Sequence, residues 1–412
     1  MNVVNPSSLT REGEADFGFH ELFFSRTDPR GVILSGNEVF RRVSGYGWSD
    51  LLGAPHKVVR HPDTPRGVFR ILWTALGKGD PVGGYVKNRA RNGDFYWVFA
   101  VLLPVAGGFL SVRLKPSTPL FARVRDIYAE IAQRERAEGL DPAAGARALR
   151  DFAAAAGYSS YTSFMAAAMG QELAARDARL GRPADARTAQ LIALNTSLED
   201  VSREQRNLLR SFEALQSVPN NMRIIASRLE PSGGPVSAIS ENYRSSSQVI
   251  SERLRSFVAG PDNLCDRVSR QASKALFLIG AHRVLSEMRQ NFADATPVPG
   301  IDWALERQTL CAIETQAQQN TGTAMEQAIS HAEVLGRASA EIRRQMLGLD
   351  TIRVLGRVET GRMRGANTQL SATIDQLDVS HSDIRLRLET IMRLSEGIGT
   401  AMRMFQRTQR AM

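Results

Sequence analysis

The chain has 412 residues, room for two to four domains of about 100–200 residues and a sizeable core. Apolar residues at 43% and charged residues at 23% exclude wholesale disorder. The net charge of +9 comes from arginines scattered among acidic residues, with only five lysines among 52 basic side chains, so no clustered basic face points to nucleic acid.

Cys265 and Cys311 are the only cysteines, too few for a disulfide framework or a four-cysteine zinc site, and they fit a reducing compartment. The opening MNVVNPSSLTREGEADFG has no apolar run behind a basic start. The most apolar stretch, Ala275 to Gly280, is far short of the roughly 20 residues a membrane span needs. A soluble cytoplasmic protein is expected.

Leu22 to Arg26, the turn Asp28-Pro29-Arg30-Gly31 and Val32 to Ser35 predict strand, turn and strand. A short helix is expected near Asn37 and a second near Ser49, with Ser49 as its cap and Gly53 as its stop. Asp63 to Gly77 reads as a helix capped by Asp63 or Thr64, with Pro65 in its first turn and Val68, Ile71, Leu72 and Ala75 on one face. Tyr85 to Arg91 and Asp94 to Leu103 flank Asn92-Gly93, a hairpin signal in which both turn residues would take positive φ. Phe109 to Leu114 supplies another strand. Five antiparallel strands with helices on one face make an α+β module over residues 20–116, behind an N-terminal segment of residues 1–19.

Helices are expected at Leu120 to Ala137, Pro142 to Ala156 and Tyr161 to Leu180, forming a connector over 117–183. Beyond it the pattern turns to coiled coil, a helical hairpin over 184–296 and long helices over 297–412. Leu191, Leu194, Leu198, Val201, Gln205, Leu208, Phe212 and Leu215 keep 3-4 spacing. Val236, Ile239, Tyr243, Ser246, Ile250, Arg253 and Phe257 repeat it less purely. A stricter run joins Met363, Asn367, Leu370, Ile374, Leu377, His381, Ile384, Leu388, Ile391, Ser395, Ile398, Met402 and Phe405. Such a seam must be covered by another helix, and a homodimer is the expected arrangement. Met222 to Glu230 also echoes Ile352 to Glu359.

The runs PHKVVRHPDTP (Pro55 to Pro65), LWTAL (Leu72 to Leu76) and VKNRARNGDFYWV (Val86 to Val98), following NEVFRRVSGY (Asn37 to Tyr46), resemble a PAS sensor domain of the bacterial aerotaxis-receptor type over residues 20–115. The resemblance implies a five-stranded sheet cupped by helices, FAD as cofactor, and Asn37, Arg60, His61, Asp63 and Trp73 as its contacts. An arginine suits a pyrophosphate and a tryptophan suits a flat ring system. The sequence departs from the family at Pro81-Val82-Gly83-Gly84, where Pro-Trp-Ser-Gly is usual.

The bland readings of these residues stand beside it. Arg60 and Asp63 also suit a structural turn, and Trp73 also suits a helix core face. His56 and His61 are weaker candidates for haem or a metal.

The back half is only faintly similar to a chemoreceptor signalling hairpin, around Asn221 to Glu230 and Ile239 to Arg244, and lacks the usual tip motif. That similarity implies a chemotaxis-type histidine kinase or coupling protein as partner. Ser380 to Arg385 loosely resembles a phosphoacceptor helix, but His381 falls in the heptad seam and too few residues follow for an ATP-binding domain. No phosphate loop or catalytic triad pattern is found, so no enzyme is expected. The function expected is a sensory transducer reporting redox state or oxygen through FAD; the alternative is a ligand-free PAS domain on a coiled-coil scaffold.

Overall fold

The computed structural model describes residues 13–215, 218–227, 234–259, 263–293, 300–362 and 368–410. Met363 and Asn367 of the heptad run, and residues 228–230 of the internal echo, lie outside them.

Strands β1 (Phe23–Thr27), β2 (Ile33–Gly36), β3 (Val82–Arg89), β4 (Phe95–Val105) and β5 (Gly108–Leu114) form one antiparallel sheet in the order β2-β1-β5-β4-β3. Helices α1 (Glu38–Ser44), α2 (Trp48–Leu51) and α3 (Arg66–Gly77), with a 3-10 turn at His56–Val59, are inserted between β2 and β3. The α+β fold expected from the strand and turn signals is thus present.

Three local expectations are corrected. Ser49 lies inside α2, and Asp50 instead accepts the Gly47 N–H at 3.3 Å, three residues ahead of it. Neither Asp63 nor Thr64 caps α3. Pro65 occupies the cap position, and Glu135, 69 residues away from Arg66, accepts the N–H groups of Arg66 and Gly67 at 3.0 and 3.3 Å. In the β3–β4 hairpin only Gly93 takes positive φ, at 96°. The Gly93 N–H donates to the Ala90 carbonyl and the Ala90 N–H to the Asp94 carbonyl, a three-residue loop closed by a glycine bulge rather than a two-residue turn.

After β5 come α4 (Pro119–Ala137), α5 (Pro142–Ala155), α6 (Tyr161–Arg179), α7 (Ala186–Leu215), α8 (Val218–Ser227), α9 (Gly234–Val258), α10 (Leu264–Ala293), α11 (Trp303–Arg362) and α12 (Thr368–Arg410). These helices do not fall into the three successive segments expected. The chain forms two compact units, one reaching to Asn195 and including Ser273–Ala324, the other made of Thr196–Ala272 and Met325–Met412.

In the first unit α4 and α10 cover the sheet face opposite α3, while α5 packs on α3 itself, Gly67 against Gly145. Phe121 of α4 stacks on Tyr85 at 5.5 Å and meets Trp97 edge-on at 5.3 Å. Phe292 of α10 packs on Phe24 at 4.7 Å. A Cβ at Gly83 would come within 2.7 Å of the Phe277 ring. The departure at Pro81 to Gly84 therefore makes room for a phenylalanine from α10. Arg26 pairs with buried Glu306 through contacts of 2.7–3.0 Å. Phe121, in the segment read as a connector, is thus packed into the core of the sheet domain.

In the second unit α12 buries every described member of its heptad run, from Leu370 to Phe405. Cross-helix pairs come from the same chain: Ser211 of α7 with Asp383, Tyr243 of α9 with His381, and Arg343 of α11 with Glu389. The seam that demanded a second helix finds it within the chain. On α9 the buried register is Val236, Ser240, Tyr243, Ser247, Ile250, Leu254 and Phe257. Every second position is one residue later than expected, because Leu254 rather than Arg253 supplies the apolar contact and Ser240 can bond the Pro219 carbonyl at 2.8 Å.

Candidate ligand cavity

Between the sheet and the inserted helices lies a cavity of about 400 Å³, within the range of small-molecule sites. Its floor is the α3-facing side of β1, β3, β4 and β5, where Ser25, Val86, Ala100, Leu102, Ser111 and Arg113 project; its roof is His56, Lys57, Arg60 and the α3 residues Phe69, Leu72, Trp73 and Leu76. One wall is flat and aromatic. Trp73 is 44% exposed and meets Phe109 edge-on at 5.4 Å. Gly31, with φ +79°, lets the β1–β2 turn approach the Trp73 ring; a Cβ there would stand 3.1 Å from it.

The polar lining is one-signed. Arg30, Lys57, Arg60 and Arg113 line the cavity and no carboxylate does. The Arg60 guanidinium lies 4.0 Å over the Phe69 ring, and its pKa is lowered, chiefly by burial. Arg113 is buried, which brings its pKa down to about 10 and leaves it cationic at neutral pH. Its Nη2 donates to Ser25 Oγ at 2.7 Å and lies 2.7 Å from His56 Nε2. Burial and the Arg113 charge hold His56 down to about 3, so its ring is neutral and accepts from Arg113.

Of the five residues expected to contact a cofactor, Arg60 and Trp73 line this cavity. The other three have structural partners elsewhere. Asn37 caps α1: its Oδ1 accepts the N–H groups of Phe40 and Phe24 at 3.2 and 3.0 Å, and its Nδ2 donates to the Leu22 carbonyl at 2.7 Å. His61 is buried against Phe95, and its Nδ1 accepts the Asp63 N–H at 3.1 Å. Asp63 pairs with Lys87 at 2.8 Å and Arg136 at 3.1 Å. Burial alone would raise its carboxyl, but Lys87, His61 and Arg136 bring it below its ordinary value.

Arg113, Ser25 and Ser111 went unassigned as cofactor contacts in the sequence, and His56 was weighed only for haem or a metal. The available signal was Phe109-Leu110-Ser111-Val112-Arg113, an alternation in which the polar set reads as a solvent face. Among the described residues no cluster of three or more His, Cys, Asp or Glu side chains is placed to hold a metal ion. No helix there is long and apolar enough to cross a membrane. Farther along, His381 is 1% exposed, with Nδ1 2.8 Å from Asp350 and Nε2 2.6 Å from the Tyr243 hydroxyl, so both ring nitrogens are engaged in the bundle core.

Residues 33–108 match the PAS fold family. The chain is similar to the aerotaxis receptor of Escherichia coli, with 41% identity over 109 residues, 25% of this chain and 22% of that receptor. It is 33% identical over 81 residues to the nitrogen fixation regulatory protein of Klebsiella pneumoniae, covering 20% of this chain and 16% of that protein. Over 118 residues it is 31% identical to the biofilm dispersion protein BdlA of Pseudomonas aeruginosa, covering 27% of this chain and 28% of that one. The chain therefore spans less than a third of the length of each of these relatives. Sheet order, inserted helices and these matches agree: the front segment of this chain is a PAS domain of the aerotaxis-receptor type.

Proposed function

We propose that the protein is a cytoplasmic sensory transducer whose PAS cavity binds FAD and whose helices pass the cofactor's state to a partner protein. The observation that carries the reading is the cavity lining, which joins a flat aromatic wall to four cations and no carboxylate. A dinucleotide with a fused ring system and a pyrophosphate is complementary to it. Trp73 and Phe109 offer their faces and edges to the ring system, and Arg60 offers charge-assisted bonds to the phosphates. Bound FAD supplies reversible electron uptake. The chain's own part is to hold it, shield it from water and respond to its charge.

The names of the relatives, an aerotaxis receptor and a biofilm dispersion protein, support a signalling role. The output partner proposed is a chemotaxis-type histidine kinase or its coupling protein, and no catalytic activity is assigned to the chain itself. A homodimer is not required to cover the α12 seam, which is filled from within the chain. A dimer would have to use another surface.

The test is the visible absorption spectrum of purified full-length protein, before and after incubation with FAD. Flavin bands, with FAD released on heating, are expected. Colourless protein that takes up no FAD would overturn the reading in favour of a ligand-free scaffold, and a Soret band would replace flavin with haem.

A further inference from the structure

Arg113 is a buried cation without an acid to balance it. It projects from β5 into the cavity and is 4% exposed. Its partners are neutral: Ser25 Oγ, His56 Nε2 and, 5.5 Å from its central carbon, the Phe40 ring. No carboxylate pairs with it among the described residues. Two residues earlier on the same strand face, the buried Ser111 Oγ also has no partner there. Burying a charge without a counter-charge is expensive, and a fold gains nothing from it unless something charged arrives. Solvent at the cavity mouth can serve Arg30 and Lys57, which are exposed, but not Arg113.

We infer that the Arg113 corner of the cavity is an anion subsite, built to take a carboxylate or phosphate group of a ligand whose apolar body lies against Leu72 and Ala100. The guanidinium offers a planar fork that matches either group, and the Ser111 hydroxyl offers a further donor. His56, being neutral, accepts from Arg113 and holds the guanidinium in place without competing for the anion. The inference rests on the reading that the cavity holds a ligand, and not on that ligand being FAD. The anionic group can come from a nucleotide phosphate or from a small organic acid.

Cofactor-free full-length protein is titrated with riboflavin and FMN, followed by flavin fluorescence, and separately with citrate, followed by thermal shift. A nucleotide source predicts FMN binding at least about tenfold tighter than riboflavin. An organic-acid source predicts a citrate-dependent rise in Tm. In either case Arg113→Gln abolishes the preference or the shift, whereas Lys274→Ala leaves it intact. Should Arg113→Gln fail to fold by circular dichroism, Ser111→Ala takes its place, with anion binding weakened about threefold.

Preference or shift that survives these substitutions, or is absent from the wild type, overturns the subsite. Citrate binding that depends on Arg113, with no flavin taken up, keeps the subsite and removes the FAD reading. FAD uptake indifferent to Arg113→Gln does the reverse.

Discussion

Glu172 of α6 accepts a hydrogen bond from the Tyr85 hydroxyl of β3 at 3.0 Å, and the same carboxylate accepts the Ser117 N–H at 2.8 Å and the Thr118 hydroxyl at 2.7 Å. One fully buried acid thus ties the sheet to the segment that starts α4 and to α6 itself. The sheet is joined to the following helices by a buried side-chain network as well as by the covalent chain through Pro116 and Pro119. A change of cofactor state acts at a distance only through differential contacts, and this carboxylate is one that sheet and helices share. Hydrogen exchange on oxidised and reduced protein should differ in α4 and α6, and Glu172→Ala should erase the difference. Identical exchange in both forms of the wild type would sink this route.

The same group makes a pH prediction. Burial raises the Glu172 carboxyl above its ordinary value, against the bonds from Thr118, Ser117 and Tyr85. A raised carboxyl means that the folded state holds its proton more tightly than the unfolded state. The resulting stabilisation is complete below about 4.5 and is lost as pH rises through the folded value. Urea unfolding of wild type minus Glu172→Gln should show an advantage for the wild type that shrinks as pH climbs above about 4.5. A flat difference would refute it.

Asn37 and Arg60 should separate folding from binding. Asn37→Ala removes a helix cap and two backbone bonds, and should cost about 1–3 kcal/mol of stability with cofactor content per folded molecule unchanged. Arg60→Ala should leave Tm near wild type and weaken FAD binding about 10- to 150-fold. Thermal unfolding and flavin occupancy, measured on the same samples, decide between the two roles.

Leu388 is fully buried in the α12 seam. Leu388→Asp places an unpaired charge there and should destabilise the second unit by about 3–5 kcal/mol. Because the seam is covered by helices of the same chain, light scattering should give the wild-type subunit number for whatever remains folded. A clean drop in subunit number with helicity intact would mean that the seam joins copies.

Burial lowers the pKa of His381 below 6.5, although Asp350 opposes the shift. Its neutral form is favoured in the fold, so its contribution to stability is present above about 6.5 and is lost as pH falls toward the folded value. His381→Gln should flatten the pH dependence of the second unit's melting as pH falls below about 6.5. An unchanged slope would show that the histidine does not titrate with unfolding.

Much of the fold could be read from the chain because its signals are local. Asn37 caps α1 where a polar cap precedes an apolar run, and α4, α5 and α6 begin and end within a residue or two of their proline, glycine and aromatic punctuation. The candidate site was legible only in part. Arg60 and Trp73 reach the cavity, while Asn37, His61 and Asp63 shape its surroundings through bonds to backbone and to Lys87. Residue type alone does not tell a polar group aimed at a ligand from one aimed at a neighbouring peptide.

Periodicity determined which residues share a face, and that much the sequence settled by itself: the α12 seam from Leu370 to Phe405 is buried where its heptads place it. What lies against a face is a tertiary matter. Alternation along β5 puts Phe109, Ser111 and Arg113 together, and only the packing of α3 and the His56–Val59 turn over them makes that side a cavity instead of a wet surface. Glu135 caps α3 from α4, and Phe277 fills the space over Gly83 from α10. The α12 seam, likewise, meets helices of its own chain rather than a second copy. Periodicity is a property of neighbours a few residues apart, whereas these partners are brought together by burial of surfaces far apart in the sequence.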